Sequence, residues 1–142
     1  MAAALNAFMK IGSAEGESKQ GESSAGDGQY KGWIELQAWD ARELPMADKT
    51  VDTLVADLPF GQLMGSHEEN EELYPKILAE AARVARPGGH FVAITQQVNL
   101  FERCLQRGAD RWSCERTLRL ELPTNAGLLK PRIYVLRRSD MT

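Results

Sequence analysis

Nowhere in this chain do apolar residues run on for the roughly 20 positions that a membrane-crossing helix needs. The opening residues Met1, Ala2, Ala3, Ala4 and Leu5 have neither a basic start nor a long apolar centre, so they do not read as a leader peptide. A soluble, cytoplasmic protein is expected. Cysteine is scarce: Cys104 and Cys114 are the only two, too few for a disulfide framework or a metal cluster, and both read as packing residues. Positive charge is in short supply over residues 1–100, with 8 basic against 15 acidic side chains. The net charge of -3 excludes a protein that coats nucleic acid indiscriminately. Over residues 101–142 the balance reverses, with 9 basic against 5 acidic. That stretch suits contact with a phosphate backbone, and equally suits a solvated helix face.

What is present is enough for one core: 142 residues, 43% of them hydrophobic. Residues 1–12 carry Ala, Leu, Phe and Met up to a stop at Gly12 and read as a short helix. Residues 13–29 switch to Gly, Ser, Glu and Asp and read as a mobile low-complexity loop. Residues 30–139 form the main unit. Within it, residues 33–39 and 51–56 read as strands ending at Asp40 and Asp57. Helical spacing of Leu73, Ile77, Leu78, Ala81, Ala82 and Val84 predicts a helix over 70–85, stopped by Arg86, Pro87, Gly88 and Gly89. A buried strand over 90–95, a helix over 100–106 and strands over 113–122 and 132–137 follow. This order predicts an α/β sheet, parallel through most of its length and closing in an antiparallel hairpin. Ligands of such sheets sit at the carboxyl ends of strands, where Asp40 and Asp57 are expected.

The tetrapeptide Asp57, Leu58, Pro59 and Phe60 suits a planar, aminated ring. The carboxylate can accept a hydrogen bond from an exocyclic amine. Pro59 fixes its own φ and biases Leu58 toward extended backbone, presenting carbonyls as further acceptors. Phe60 can stack on the ring, a contact worth about 1–3 kcal/mol. An amine conjugated into a ring is a poor nucleophile, so such hydrogen bonds and proximity to an electrophile would supply much of the catalysis. Taken alone, an acid-Leu-Pro-aromatic turn more often just ends a strand.

Its surroundings add weight. Trp39, Asp40, Ala41, Arg42, Glu43, Leu44 and Pro45 precede it, and Val55, Ala56 and Gly61 flank it. Leu73, Tyr74 and Pro75, residues 82–89, Thr95 and Gln96, Gly127, Leu128, Leu129 and Lys130, and residues 134–138 follow in order. In these elements the chain resembles the THUMP-domain-containing tRNA guanine methyltransferases, and more loosely the bacterial 23S rRNA guanine enzymes. The resemblance runs from about Trp33 through Arg138. It implies a class I, Rossmann-like methyltransferase domain that transfers a methyl group from S-adenosylmethionine to the exocyclic amine of guanosine in tRNA. By that resemblance Asp57, Leu58, Pro59 and Phe60 hold the guanine. Asp40 and Ala41, with Asp57, contact the donor.

The family's opening strand, glycine-rich donor turn and second strand have no counterpart here, nor has the THUMP domain. The resemblance therefore implies a partial sheet lacking the first two strands, and a partner chain that could supply that half. Rival readings are an amino-methyltransferase for DNA adenine, rRNA guanine or protein glutamine, and a catalytically silent scaffold module. His67 reads as a solvated loop residue and His90 as an edge residue. Glu68, Glu69, Glu71 and Glu72 read as a helix N-terminus rather than a metal site. Tyr74, Trp33 and Trp39 read as packing residues, and Gln96, Gln97 and Asn125 as weak candidates for lining the pocket.

Overall fold

The computed structural model describes residues 8–13, 32–59 and 66–140. Its elements in chain order are β1 (Phe8–Ser13), β2 (Gly32–Gln37), β3 (Val51–Asp57), α1 (His67–Val84), β4 (Ala85–Thr95), α2 (Val98–Arg107), β5 (Trp112–Arg119), β6 (Leu122–Thr124), β7 (Gly127–Leu129) and β8 (Arg132–Arg138).

β3 and β4 pair in parallel because α1 carries the chain back between them, the crossover that parallel strands require. α1 begins earlier than its apolar spacing predicts, since Ser66 and Glu69 close a capping box. Ser66 Oγ accepts from the Glu69 N–H at 3.1 Å, and the Glu69 carboxylate accepts from the Ser66 N–H at 2.7 Å. Its apolar stripe buries Tyr74, Ile77, Leu78, Ala81, Ala82 and Val84. At the β3–β4 base, a Cβ on Gly89 would lie 2.9 Å from the backbone oxygens of both Arg86 and Asp52, so only glycine lets the strands approach there.

Three expectations are corrected. The sheet is not parallel through most of its length. Its order is β3-β4-β8-β5, and β8 runs antiparallel to both neighbours because the closing hairpin inserts it between β4 and β5. The segment read as a helix over 1–12 is strand at Phe8–Ser13, paired antiparallel with β2 in register from Phe8↔Gln37 to Ser13↔Gly32. An isolated helix this short is marginal in water, whereas the alternating β2 offers a ready ladder. Residues 1–7 and most of the low-complexity loop lie outside the described residues. Lastly, β2 belongs to this separate two-stranded sheet and not to the sheet that holds β3.

Both described helices cover one face of the four-stranded sheet. Leu54, Leu58, Phe91, Ala93, Tyr134, Leu136 and Trp112 are buried on it. Phe101 lies edge-on to Tyr74 (6.1 Å) and tilted against Tyr134 (4.7 Å), and the Trp112 indole donates to the Leu78 carbonyl at 3.0 Å. Strand alternation places Val55, Asp57, Val92, Ile94, Ile133 and Val135 on the opposite face. There Val55 is 77% exposed, and β3 is an edge strand. His90 stands on this open face of the interior strand β4, 3.3 Å from Glu115, rather than at an edge.

Candidate active site

Asp57 ends β3 at the carboxyl end of the parallel pair and is exposed. Leu58 turns back into the core, 2% exposed, and its N–H donates to the Ile94 carbonyl at 3.0 Å. The Pro59 carbonyl points inward, where two buried side chains from α1 donate to it: Tyr74 Oη at 2.6 Å and Asn70 Nδ2 at 2.9 Å. Phe60 and Gly61 lie outside the described residues.

Tyr74 has one hydroxyl proton. Because the Pro59 carbonyl can only accept, that proton goes to it, and the Thr95 hydroxyl must then donate to Tyr74 at 2.7 Å. Thr95 Oγ1 in turn accepts from the Gln97 N–H at 3.0 Å. A directed chain therefore runs from the end of β4 through α1 to the turn. Burial pushes the Tyr74 phenol above its ordinary pKa, which keeps it protonated as a donor. Asn70 and Tyr74 are both 0% exposed. The Asn70 Oδ1 and Gln96 Oε1 atoms are buried with no hydrogen-bond partner among the described residues.

Gln97 is occupied otherwise than expected, its Oε1 lying 2.7 Å from His67 Nδ1. Asn125 is exposed at the tip of the β6–β7 hairpin. The acidic run at the start of α1 behaves as helix chemistry predicts: Glu69 caps, and Glu72 pairs with Lys76 at 3.8 Å. Tyr74, read as a packing residue, also carries the polar function just described. Sequence spacing singled out neither Asn70 nor the Thr95 hydroxyl.

Asp40 lies in the connector between β2 and β3, which crosses α1 with Arg83 donating to the Leu44 and Met46 carbonyls. Its carboxylate is held by Arg42. Arg42 Nη2 donates to Oδ2 at 2.6 Å, Nε donates to Oδ1 at 2.9 Å, and the Arg42 N–H donates to the same oxygen at 2.9 Å. These bonds draw the Asp40 pKa down to about 2, so the group is ionised throughout the neutral range. The charged groups acting on it are Arg42 and Lys76. Ala41 packs beside it against the core. The carboxylate chemistry fits an adenine amine, and its side chain is 37% exposed. An amine bound there would compete with Arg42 for the carboxylate. Among the described residues no group of three or more His, Cys, Asp or Glu is placed to hold a metal ion. No described helix is long and apolar enough to cross a membrane.

The profile of the UPF0020 family, the RMKL-like methyltransferase domain, matches residues 18–125. The tRNA (guanine(6)-N(2))-methyltransferase THUMP3 of Bos taurus is 37% identical over 110 residues, which cover 77% of this chain and 21% of that protein. The tRNA (guanine(6)-N2)-methyltransferase of Thermus thermophilus is 31% identical over 106 residues, 75% of this chain and 30% of that protein. This chain thus spans about a fifth to a third of the relatives it matches. Among solved structures, TrmN from Thermus thermophilus superposes with a TM-score of 0.54 at 26% identity, covering 71% of this chain and 27% of that one. A SAM-dependent methyltransferase from Methanosarcina mazei shares the fold with a TM-score of 0.52 at 12% identity, covering 71% of this chain and 65% of that one. By a match over most of its length, the chain belongs to the RMKL-like methyltransferase domain family.

Proposed function

We propose that this chain forms the base-gripping part of an S-adenosylmethionine-dependent methyltransferase acting on the exocyclic amine of guanosine in tRNA. The observation that carries this reading is the strand-end turn. The Pro59 carbonyl is committed inward, and the Asp57 carboxylate is left exposed at the carboxyl end of the parallel pair. When bound, the donor supplies an electrophilic methyl group. Asp57 accepts a hydrogen bond from the amine and pulls its lone pair out of conjugation, and the amine's surplus proton leaves through the carboxylate to water. The relatives named for guanine N2 methylation of tRNA support the substrate class. The basic surplus over residues 101–142 provides sites for the phosphate backbone.

Calorimetric titration with S-adenosylmethionine tests the donor site. Saturable binding, weakened at least about tenfold in Asp40→Ala, is expected, since each 1.4 kcal/mol lost is a factor of ten. Absence of binding, or equal binding by the variant, contradicts it.

The open sheet face favours a second component of the same reading. Parallel strands are ordinarily buried on both faces, yet among the described residues β3 is an edge strand and Val55 stands exposed on it. A polypeptide segment bearing the donor's glycine-rich turn would cover both, in the same chain or in a partner. Hydrogen exchange of the Thr53 and Val55 amides should slow when the unmatched part of the Thermus relative is added. Unchanged exchange argues against such a segment.

A further inference from the structure

We infer that Tyr74, Asn70 and Thr95 are positioning residues for the amine-gripping turn: they hold the Pro59 carbonyl inward and thereby fix the backbone that carries the Asp57 carboxylate toward the substrate amine. The inference rests on the methyl-transfer reading for its catalytic consequence, though not for its geometry.

A turn at the end of an edge strand has little to define it. Among the described residues β3 has a ladder partner on one side only, and Pro59 has no N–H to donate. Two donors on its carbonyl, at 2.6 and 2.9 Å, replace that missing restraint. Both come from α1, whose start is fixed by the capping box. The third member ties the same point to β4, through Thr95 to Tyr74 and the Gln97 N–H to Thr95. The two strands of the parallel pair and the helix between them thus meet at one carbonyl oxygen. Leu58 precedes a proline, which biases it toward extended backbone. Fixing the Pro59 carbonyl therefore restrains the backbone immediately after Asp57. Pure packing would not need this set: a phenylalanine and a valine would fill the same volumes without asking for polar partners in the core.

The test has two limbs. In the first, amide hydrogen exchange of Leu58 is measured in the full chain, with neither donor nor RNA present. Tyr74→Phe and Thr95→Val should each speed that exchange about tenfold or more, and Thr95→Ser should restore the wild-type rate. Tyr134→Phe is the control: this residue is also buried, and its hydroxyl donates to Glu102 at 2.9 Å and not to the turn. Leu58 exchange unchanged in Tyr74→Phe and Thr95→Val, or accelerated equally by Tyr134→Phe, overturns the inference whether or not the chain transfers methyl groups. In the second limb, Tyr74→Phe should lower kcat for methyl transfer about tenfold with KM for RNA within about threefold. A variant that raises KM and leaves kcat intact overturns the positioning role. A wild-type chain that transfers no methyl group even with the segment bearing the donor's glycine-rich turn supplied contradicts the proposed function instead, and the exchange limb still decides the geometry.

Discussion

Phe101→Ala should remove a large share of the chain's stability. The ring is 0% exposed and stands between Tyr74 and Tyr134, joining α1, α2 and β8 at one point. Truncating a buried phenylalanine costs about 3–5 kcal/mol, the lost transfer energy plus the cavity left behind. A domain of this size holds only about 5–15 kcal/mol in total, and one sheet face here lacks a described helix to add to it. Urea unfolding followed by tryptophan fluorescence is a suitable measurement, since Trp112 is buried against Phe91 at 5.7 Å. With a slope of about 1–3 kcal/mol per molar urea, the midpoint should fall by roughly 2 M. A shift of only a few tenths molar would mean that α2 does not lock the sheet to α1. Because Tyr74 borders the same ring, the variant should also loosen the Pro59 turn.

Asp57→Ala should have the largest effect on chemistry and little on folding. The carboxylate is exposed at the end of an edge strand, so its loss leaves the core intact. Removing one well-placed acceptor or base from a reacting amine costs typically 10²–10⁴-fold in rate. Transfer of labelled methyl groups to tRNA should therefore drop at least about a hundredfold, with the urea midpoint unchanged. Asp57→Asn, which keeps an accepting oxygen and loses the charge, should fall between the two. Full activity in the alanine variant would leave the turn as a strand end and nothing more.

Much of this was legible in the chain. The run from Tyr74 to Val84 buries where its spacing places it, with Leu73 half-buried at its margin, and Asp57 ends its strand two residues before Pro59. The family resemblance rests on local motifs, and these survive any error in strand order. Strand order itself was not legible. Whether β8 lies beside β4 or at the edge depends on how a hairpin returns, and no residue in β8 encodes that by itself. The strand at Phe8–Ser13 was missed for a related reason, since its pairing with β2 is a contact between segments about 25 residues apart. Asp40 was legible as an acid following a strand, but its embrace by Arg42 two residues on was not. The roles of Asn70 and Thr95 were hidden because a polar residue within an apolar helix or strand pattern declares its purpose only once a partner carbonyl is placed beside it.

The measurement that bears most directly on the central claim compares two short single-stranded RNAs that differ only by guanosine or inosine at one position. Inosine lacks the exocyclic amine and is otherwise the same base. A hydrogen bond to a charged acceptor is worth about 1.5–3 kcal/mol, or about tenfold and upward in affinity. Fluorescence anisotropy should show the guanosine RNA bound at least about tenfold tighter by the wild-type chain and equally with inosine by Asp57→Ala. Equal affinity for the two RNAs in the wild type, or a guanosine preference that survives Asp57→Ala, would contradict the assignment of the turn to the amine.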